Sequence, residues 1–115
     1  YTSDKDKQLL DKLQAIIEQE LGNSEFTMED FAARKKLWRT VFSKKVSGLT
    51  GHTPNEYLRI IRLKKAAELL LEGNYNVSEV SYKVGISDPL YFSRCFKIHY
   101  GVSPSVYLRG KEKEI

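Results

Sequence analysis

The chain has 115 residues, of which 41% are apolar and 30% are charged, and its formal net charge is +4. This length fits one domain or two small lobes, and the apolar fraction is sufficient for a buried core. No apolar run approaches the roughly 20 residues of a membrane-spanning helix, and no signal-peptide pattern is visible. The single cysteine, Cys95, excludes an internal disulfide and favours a cytoplasmic location. Because the first residue is not Met, we expect a piece of a longer protein.

The basic residues are concentrated in the middle of the chain. The net charge is −5 over residues 1–33, +9 over residues 34–65 and zero over residues 66–115. The bases of this middle segment are Arg34, Lys35, Lys36, Arg39, Lys44, Lys45, Arg59, Arg62, Lys64 and Lys65. Such a segment is typical of a surface that binds a polyanion. A solvated helix face explains the charge alone equally well.

Every predicted element is a helix, because no segment alternates apolar and polar residues with a period of two. An apolar stripe predicts a first helix over residues 7–21, and TMED at residues 27–30 predicts a capping box for a short helix ending near Arg34. TPNE at residues 53–56 is the strongest start signal, and nothing interrupts the following helix before Gly73. The remaining helices are expected over residues 39–49, 54–72, 77–83 and 89–100 and from Pro104 onward.

Nearly the same nine residues occur twice, as GHTPNEYLR at residues 51–59 and GVSPSVYLR at residues 101–109. At the same offset the preceding helices also match, for example at Phe42 and Phe92. The chain therefore contains one supersecondary unit twice: a short helix, a tight turn and a second helix with an apolar inner face. This is the helix-turn-helix plan, whose second helix can enter a DNA major groove.

Helical geometry divides the second helix of each unit into two faces. The inner faces, expected to be buried, contain Val41, Phe42, Val46 and Leu49 in the first unit and Phe92, Cys95, Phe96 and His99 in the second. The outward strips contain Thr40, Ser43, Lys44 and Ser47 in the first unit and Leu90, Ser93, Arg94 and Lys97 in the second. Polar and basic side chains on such strips can contact base edges. The helix over residues 54–72, about 28 Å long at about 1.5 Å per residue, could hold the two strips about one DNA turn apart.

The segment VSEVSYKVGISDPLYFSRCFKIHYGVSPSVYLR, residues 77–109, resembles the signature of AraC/XylS-type transcriptional regulators. The resemblance extends over about residues 7–109, and NEYLRIIRLKKAAELL is similar to the linker helix of that family. The segment FTMEDFA and the sequence of the second unit are most similar to output domains of hybrid two-component regulators, in which a sensor kinase, a receiver and this domain share one chain. The resemblance implies an all-α fold of about seven helices, with two helix-turn-helix subdomains joined by a long linker helix.

The repeat and the resemblance together divide the chain into five parts. They are an N-terminal helix packed on the first subdomain (1–25), a first helix-turn-helix (26–53), the linker helix (54–72), a second helix-turn-helix (73–109) and a C-terminal tail (110–115).

The resemblance also implies which residues contact DNA. Base contacts are expected from Arg39, Thr40, Ser43, Lys44, Pro89, Leu90, Ser93 and Arg94. Phosphate contacts are expected from Lys45, Ser47, Lys97 and helix-end amides. Lys36 and Trp38 replace the usual turn glycine and capping serine of the family, so we expect the first unit to be irregular at residues 35–39. Ser81 and Ile86 replace the usual alanine and phenylalanine and are expected to pack in the second turn.

The implied function is a sequence-specific DNA-binding output domain of a bacterial transcriptional regulator, an activator in the cytoplasm. The expected partners are double-stranded DNA, RNA polymerase and the sensor and receiver domains of the intact protein. The isolated domain is expected to be monomeric, with no membrane contact. The alternative is a basic helical protein–protein interaction module.

No enzymatic activity and no cofactor are expected. The sequence shows no nucleophile–base pair and no glycine-rich phosphate loop. Cys95 and His99 lie four residues apart, but a structural zinc site needs four ligands, so a core role is expected for both and no metal site.

Overall fold

A computed structural model of the chain describes residues 4–34 and 39–113, and the side chains of residues 34, 39–40 and 110–113 are outside this description. The described residues form seven α-helices and no strand, which confirms the predicted all-α fold. The helices are α1 (Asp4–Gln19), α2 (Met28–Arg34), α3 (Arg39–Thr50), α4 (Pro54–Glu72), α5 (Val77–Lys83), α6 (Pro89–Tyr100) and α7 (Pro104–Lys113). Within the described ranges, no helix is both long and apolar enough to span a bilayer.

The predicted helix starts are made by side-chain caps. Before α2 and α4, the hydroxyls of Thr27 and Thr53 accept hydrogen bonds from the amides of Asp30 and Glu56, each at 3.2 Å. The two carboxylates accept in return from the Thr27 amide at 3.0 Å and from the Thr53 amide at 2.9 Å. The Thr53 amide lowers the pKa of the Glu56 carboxyl, because it donates to the ionised form. Asp88 is the N-cap of α6, as the sequence predicts.

The helices pack into two compact units. The first unit contains α1, α2, α3 and the part of α4 up to Ile61. The second unit contains residues Leu21–Ser24, the part of α4 from Arg62 and helices α5 to α7. Part of the connection between α1 and α2 therefore belongs to the second unit.

The core of the first unit is built from α1 to α4. Its buried side chains are Leu13, Ile17, Phe26, Met28, Phe31, Ala32, Phe42, Val46, Tyr57 and Leu58. The rings of Phe31 on α2 and Phe42 on α3 lie 5.5 Å apart, so α2 and α3 pack through them. The expected burial of Val41 is wrong, because one residue turns a helix by about 100°, and Val41 is 43% exposed beside the buried Phe42.

The second unit has its own core. Its buried side chains are Leu63, Ala66, Ala67, Leu70, Val80, Val84, Ile86, Phe92 and Phe96. The Phe92 and Phe96 side chains of α6 are fully buried, as the inner face predicts. The Phe96 ring meets the Tyr107 ring of α7 edge-on, with centroids 5.3 Å apart. This contact fixes α7 against α6.

The repeated nine residues form the same turn in both units. Gly51 and Gly101 have left-handed φ angles of 77° and 82°. Each donates its amide to the carbonyl four residues earlier, at 2.9 and 2.8 Å, and these bonds end α3 and α6. The Ser103 hydroxyl accepts from the Val106 amide at 3.3 Å, in the same way that the Thr53 hydroxyl caps α4. The sequence repeat is therefore also a structural repeat.

A Schellman motif closes the turn between α5 and α6. Gly85, at φ 80°, donates its amide to the Tyr82 carbonyl at 3.1 Å, and Ile86 donates to the Ser81 carbonyl at 2.9 Å. The buried Ser81 hydroxyl donates to the Ile86 carbonyl at 2.6 Å. Ser81 and Ile86 thus pack in the turn as expected, and the hydroxyl adds a bond that alanine could not make.

Helices α1 and α7 end at residues other than the sequence predicts. Helix α1 ends at Gln19, before Leu21, which the sequence includes in the first apolar stripe. Helix α7 continues to Lys113, so helical backbone extends into the segment that the sequence assigns to a tail. The predicted irregularity at residues 35–39 lies outside the described residues, apart from the backbone of Arg39, where α3 begins.

Replacing Gly85 by alanine should destabilise the chain more than the same replacement at Gly101. Both positions have a left-handed backbone, which costs a residue with a Cβ about 1–2 kcal/mol. At Gly85 the new Cβ would also collide with the Leu21 carbonyl oxygen and lie 3.2 Å from the Arg62 guanidinium carbon, whereas at Gly101 no described atom lies within 4 Å. Urea unfolding should give a free-energy loss of about 1–2 kcal/mol for Gly101→Ala and a clearly larger loss for Gly85→Ala. Equal losses would contradict the close packing at Gly85.

Candidate nucleic-acid interface

An exposed strip follows one face of α6. It consists of Leu90, Ser93, Arg94 and Lys97, which succeed one another at helical spacing. Leu90 is 79% exposed, Arg94 and Lys97 are exposed, and Ser93 is half-buried. Pro89, the first residue of α6, is half-buried at the end of the strip. These side chains share one face, and their contacts with DNA remain a prediction.

The direction of this strip is set by the opposite face of α6. Phe92 and Phe96 are fully buried and lie four residues apart, so the strip residues between and around them turn outward. The Asp88 carboxylate accepts hydrogen bonds from the amides of Leu90 and Tyr91 at 3.0 and 3.4 Å. These two helix-end amides are therefore already bonded to an anion, which disfavours the phosphate contact expected of them.

The described part of α3 presents a second strip. Lys44 and Ser47 are exposed and Ser43 is half-buried, on the side of α3 opposite the core of the first unit. The side chains of Arg39 and Thr40, which the sequence places on the same strip or beside it, lie outside the described residues. Each unit thus carries its own polar strip on the second helix of its helix-turn-helix.

Lys45 stands beside the α3 strip and is paired with an acidic side chain. Its Nζ lies 3.3 Å from Oδ1 of Asp6 on α1, and both side chains are substantially exposed. An exposed pair of this kind contributes about 0–1 kcal/mol. Lys45 can therefore exchange Asp6 for a phosphate at little cost.

The expected burial of His99 is wrong. Cys95 is half-buried and packs against the core, but His99 is exposed, with its ring edge-on to Tyr100 at 4.7 Å between centroids. His99 is turned by about 60° from Phe96 around the helix and lies in the last turn of α6. In the part of the chain that the structure describes, no group of three or more His, Cys, Asp and Glu side chains is arranged to hold a metal ion.

Arg62 does not contribute to an exposed basic surface, although the charge distribution of the sequence suggests that it does. It belongs to the basic middle segment, yet it is only 9% exposed. Its Nη1 donates to the Gly85 carbonyl at 3.1 Å, and its Nη2 donates to the Asn23 carbonyl at 3.0 Å. Burial lowers the pKa of this guanidinium, because desolvation disfavours the charged form. Arg62 is therefore not available to a polyanion at the surface.

The spacing around Arg62 contains the signal that reveals its burial. Leu58 lies four residues before it and Ala66 four residues after it, and both are buried. Residues at this spacing form one stripe along a helix, so Arg62 lies on the buried face of α4. Arg59 and Lys64 lie off this stripe and are exposed.

Comparison with known proteins assigns the chain to a family. A family model described as a helix-turn-helix domain matches residues 31–110. The chain is 31% identical to the C-terminal domain of AraT, a response regulator from Geobacillus stearothermophilus, with a TM-score of 0.79 over 86% of this chain and 82% of that one. The chain belongs to the AraC-type helix-turn-helix family. This confirms the resemblance seen in the sequence.

Two further relatives of this AraC-type domain bear on its role. The DNA-binding domain of AdpA, a global transcriptional factor, was solved in complex with a target DNA; it is 28% identical, with a TM-score of 0.83 over 91% of this chain and 94% of that one. Histidine kinase P4 from Formosa agariphila is 40% identical over 102 residues, which are 89% of this chain and 7% of that kinase. The other curated relatives compared are also longer, and the chain spans at most 38% of their length.

Proposed function

We propose that this AraC-type domain is the sequence-specific DNA-binding output domain of a bacterial transcriptional regulator, an activator in the cytoplasm. The observation that carries the proposal is the exposed strip on α6, opposite the buried Phe92 and Phe96. The similarity to a domain solved with its target DNA supports it. Each unit reads one half-site with the second helix of its helix-turn-helix, so that α3 and α6 enter two successive major grooves.

The side chains on α6 are suited to different parts of a DNA site. The exposed Arg94 guanidinium can donate two hydrogen bonds to guanine, and no described carboxylate pairs with it. Leu90 offers an exposed apolar side chain, whose partner in the major groove is the methyl group of thymine. Ser93 and Pro89 contact base edges, and Lys97 neutralises a phosphate.

The first unit reads its half-site with α3. Ser43 and Lys44, together with Arg39 and Thr40, contact base edges in the proposal. Lys45 and Ser47 contact phosphates. Lys44, Lys45 and Ser47 are all exposed, which supports their contact with DNA.

In the intact regulator, the domain acts as the output of sensor and receiver domains and contacts RNA polymerase at the promoter. Its similarity to the C-terminal domain of a response regulator and to histidine kinase P4 supports this part of the proposal. The isolated domain is monomeric, because one chain with two helix-turn-helix units supplies both recognition helices.

Two experiments with this chain test the proposal. Selection from a random pool of duplex DNA should recover an asymmetric site with two motifs about one helical turn apart. The logarithm of the affinity for random duplex should fall linearly with the logarithm of the salt concentration. A protein–protein interaction module would show no duplex binding at low salt, and that result would overturn the proposal.

Arg94→Ala should relax the sequence preference of the second unit. The loss of a bidentate contact to guanine should reduce discrimination at one base pair by about 1–3 kcal/mol. Competition between the selected site and single-base variants measures this change. Arg109→Ala is the control, because Arg109 is an exposed arginine that lies on α7 and does not belong to the strip. If Arg94→Ala kept both affinity and base preference, the α6 strip would not be the recognition surface.

Lys45→Ala should weaken binding to all sequences and make the salt dependence shallower, because Lys45 contacts a phosphate in the proposal. Each lost phosphate contact reduces the slope of log affinity against log salt by about 0.9. The same titration on Lys12→Ala, an exposed lysine of α1, shows how much a general loss of charge contributes. An unchanged slope for Lys45→Ala would count against a phosphate contact there, and a change confined to one base pair would indicate base recognition instead.

Leu90→Ala should abolish the contribution of one thymine methyl group to the binding free energy. Replacing that thymine by deoxyuridine should weaken binding of the unmodified chain about fourfold, the effect of roughly one buried methyl or 0.8 kcal/mol. Leu90→Ala should bind both duplexes equally. Ile98→Ala is the matched control, since Ile98 is an exposed aliphatic residue on the same helix but outside the strip. A deoxyuridine effect that persists in Leu90→Ala would contradict the contact.

A further inference from the structure

Arg62 is a buried cation that joins two separate turns of the second unit. Its two Nη atoms donate to the carbonyls of Gly85, between α5 and α6, and of Asn23, between α1 and α2. No carboxylate of the described residues pairs with it, and its Nε meets no acceptor in the same ranges. Its buried bonds are therefore made to backbone carbonyls alone.

A charge in this position costs free energy that an apolar residue would not. Removing a guanidinium from water carries a large desolvation penalty. An alkyl side chain at Arg62 could fill much of the same volume, but it could not donate to the two carbonyls. The planar guanidinium can serve two acceptors at fixed angles, which lysine cannot do with one rotating ammonium. Arginine therefore differs from an alkyl side chain or a lysine at this position because its guanidinium can bridge the two turns through both carbonyls.

The surroundings of Gly85 leave the bridge little freedom. A Cβ on Gly85 would collide with the Leu21 carbonyl oxygen and press on the Arg62 guanidinium, so the two turns and the arginine are in close contact. From Gly85, three residues lead to the Asp88 cap of α6. The position of the Gly85 carbonyl thus constrains where α6 begins.

We propose that Arg62 is a positioning residue for DNA recognition by the second unit and makes no contact with phosphate. It holds the turn between α5 and α6 against residues 21–24 and thereby sets the direction in which α6 presents its strip. This inference rests on the proposed DNA-binding function of the strip.

The test compares Arg62→Met and Arg62→Lys with the unmodified chain. Met keeps an unbranched stem without the charge, and Lys keeps the charge without the planar fork. Arg109→Met is the matched control, because it removes the charge of an exposed arginine in the same unit. For each protein, binding to the selected site and to random duplex is measured over a range of salt concentrations. Amide hydrogen exchange of the free proteins reports on residues 84–88, and thermal melting confirms that each is folded.

We expect the ratio of selected-site to random-duplex affinity to fall at least tenfold in both Arg62 variants. Affinity for random duplex should stay within about twofold and its salt slope should not change, because no phosphate contact is lost. Amides of residues 84–88 should exchange at least tenfold faster, since the turn has lost its bridge. Arg109→Met should keep the affinity ratio and the exchange rates of the unmodified chain.

Three results of the binding measurements would overturn the inference. One is an unchanged ratio of selected-site to random-duplex affinity in Arg62→Lys. This variant alone tests the positioning role if Arg62→Met does not fold. Another is a salt slope reduced by about 0.9 in Arg62→Met and preserved in Arg62→Lys, which would identify a phosphate contact. The third is an equal loss of affinity ratio in Arg109→Met, which would assign the effect to charge alone.

The two proposals fail in different ways. If the unmodified chain does not distinguish the selected site from random duplex, the proposed function fails. The exchange of residues 84–88 then still decides whether Arg62 holds the turn, because it is measured without DNA. Exchange that is unchanged in both Arg62 variants would refute the positioning role directly.

Discussion

The complete burial of Phe92 and Phe96 is the constraint on which the α6 surface depends. A helix can bury only one face against a single core, so two buried rings four residues apart determine which residues face outward. The contact between the Phe96 and Tyr107 rings extends the constraint to α7. The strip is therefore a consequence of core packing, and the side chains on it can change without altering the core. This separation allows one fold to carry many sequence preferences.

The turn that both units repeat, at Gly51 and Gly101, is less closely packed than the turn before α6. At Gly51 and Gly101 no described atom lies within 4 Å of an added Cβ, so glycine is required there by its left-handed backbone alone. At Gly85 the left-handed backbone is combined with close packing against Leu21 and Arg62. The turn before α6 is thus tied to a residue of α4 as well as to its own sequence. A substitution in the long helix can therefore affect the turn without touching either helix of the second helix-turn-helix.

The features predicted well from sequence depend on residues close together in the chain. The capping box at Thr53, the cap at Asp88 and the Schellman glycine are each set within a few positions. The exposure of Val41 and of His99 is harder to predict, because periodicity assigns a residue to a helix face only to within about a quarter-turn. Each of the two lies within about that angle of a buried residue on its helix. The charge distribution along the chain does not predict the burial of Arg62. Its acceptors are backbone carbonyls 23 and 39 residues away, and they leave no pattern of side chains in the sequence. The position of Arg62 on the apolar stripe of α4, four residues from Leu58 and from Ala66, is the sequence feature that predicts its burial.

The structure also changes what the basic middle segment can contribute to binding. Lys45 and Lys65 face carboxylates at 3.3 and 3.5 Å, and these exposed pairs can break at little cost when a phosphate approaches. Arg62 differs, because releasing it would leave two carbonyls without their donor and loosen the turn before α6. The cations that can reach phosphate are thus fewer than the sequence suggests. Phosphate attracts such cations equally in every DNA sequence. In the proposed function, a preference among sequences therefore comes from the strips, and in our further proposal Arg62 contributes to it through the position of α6.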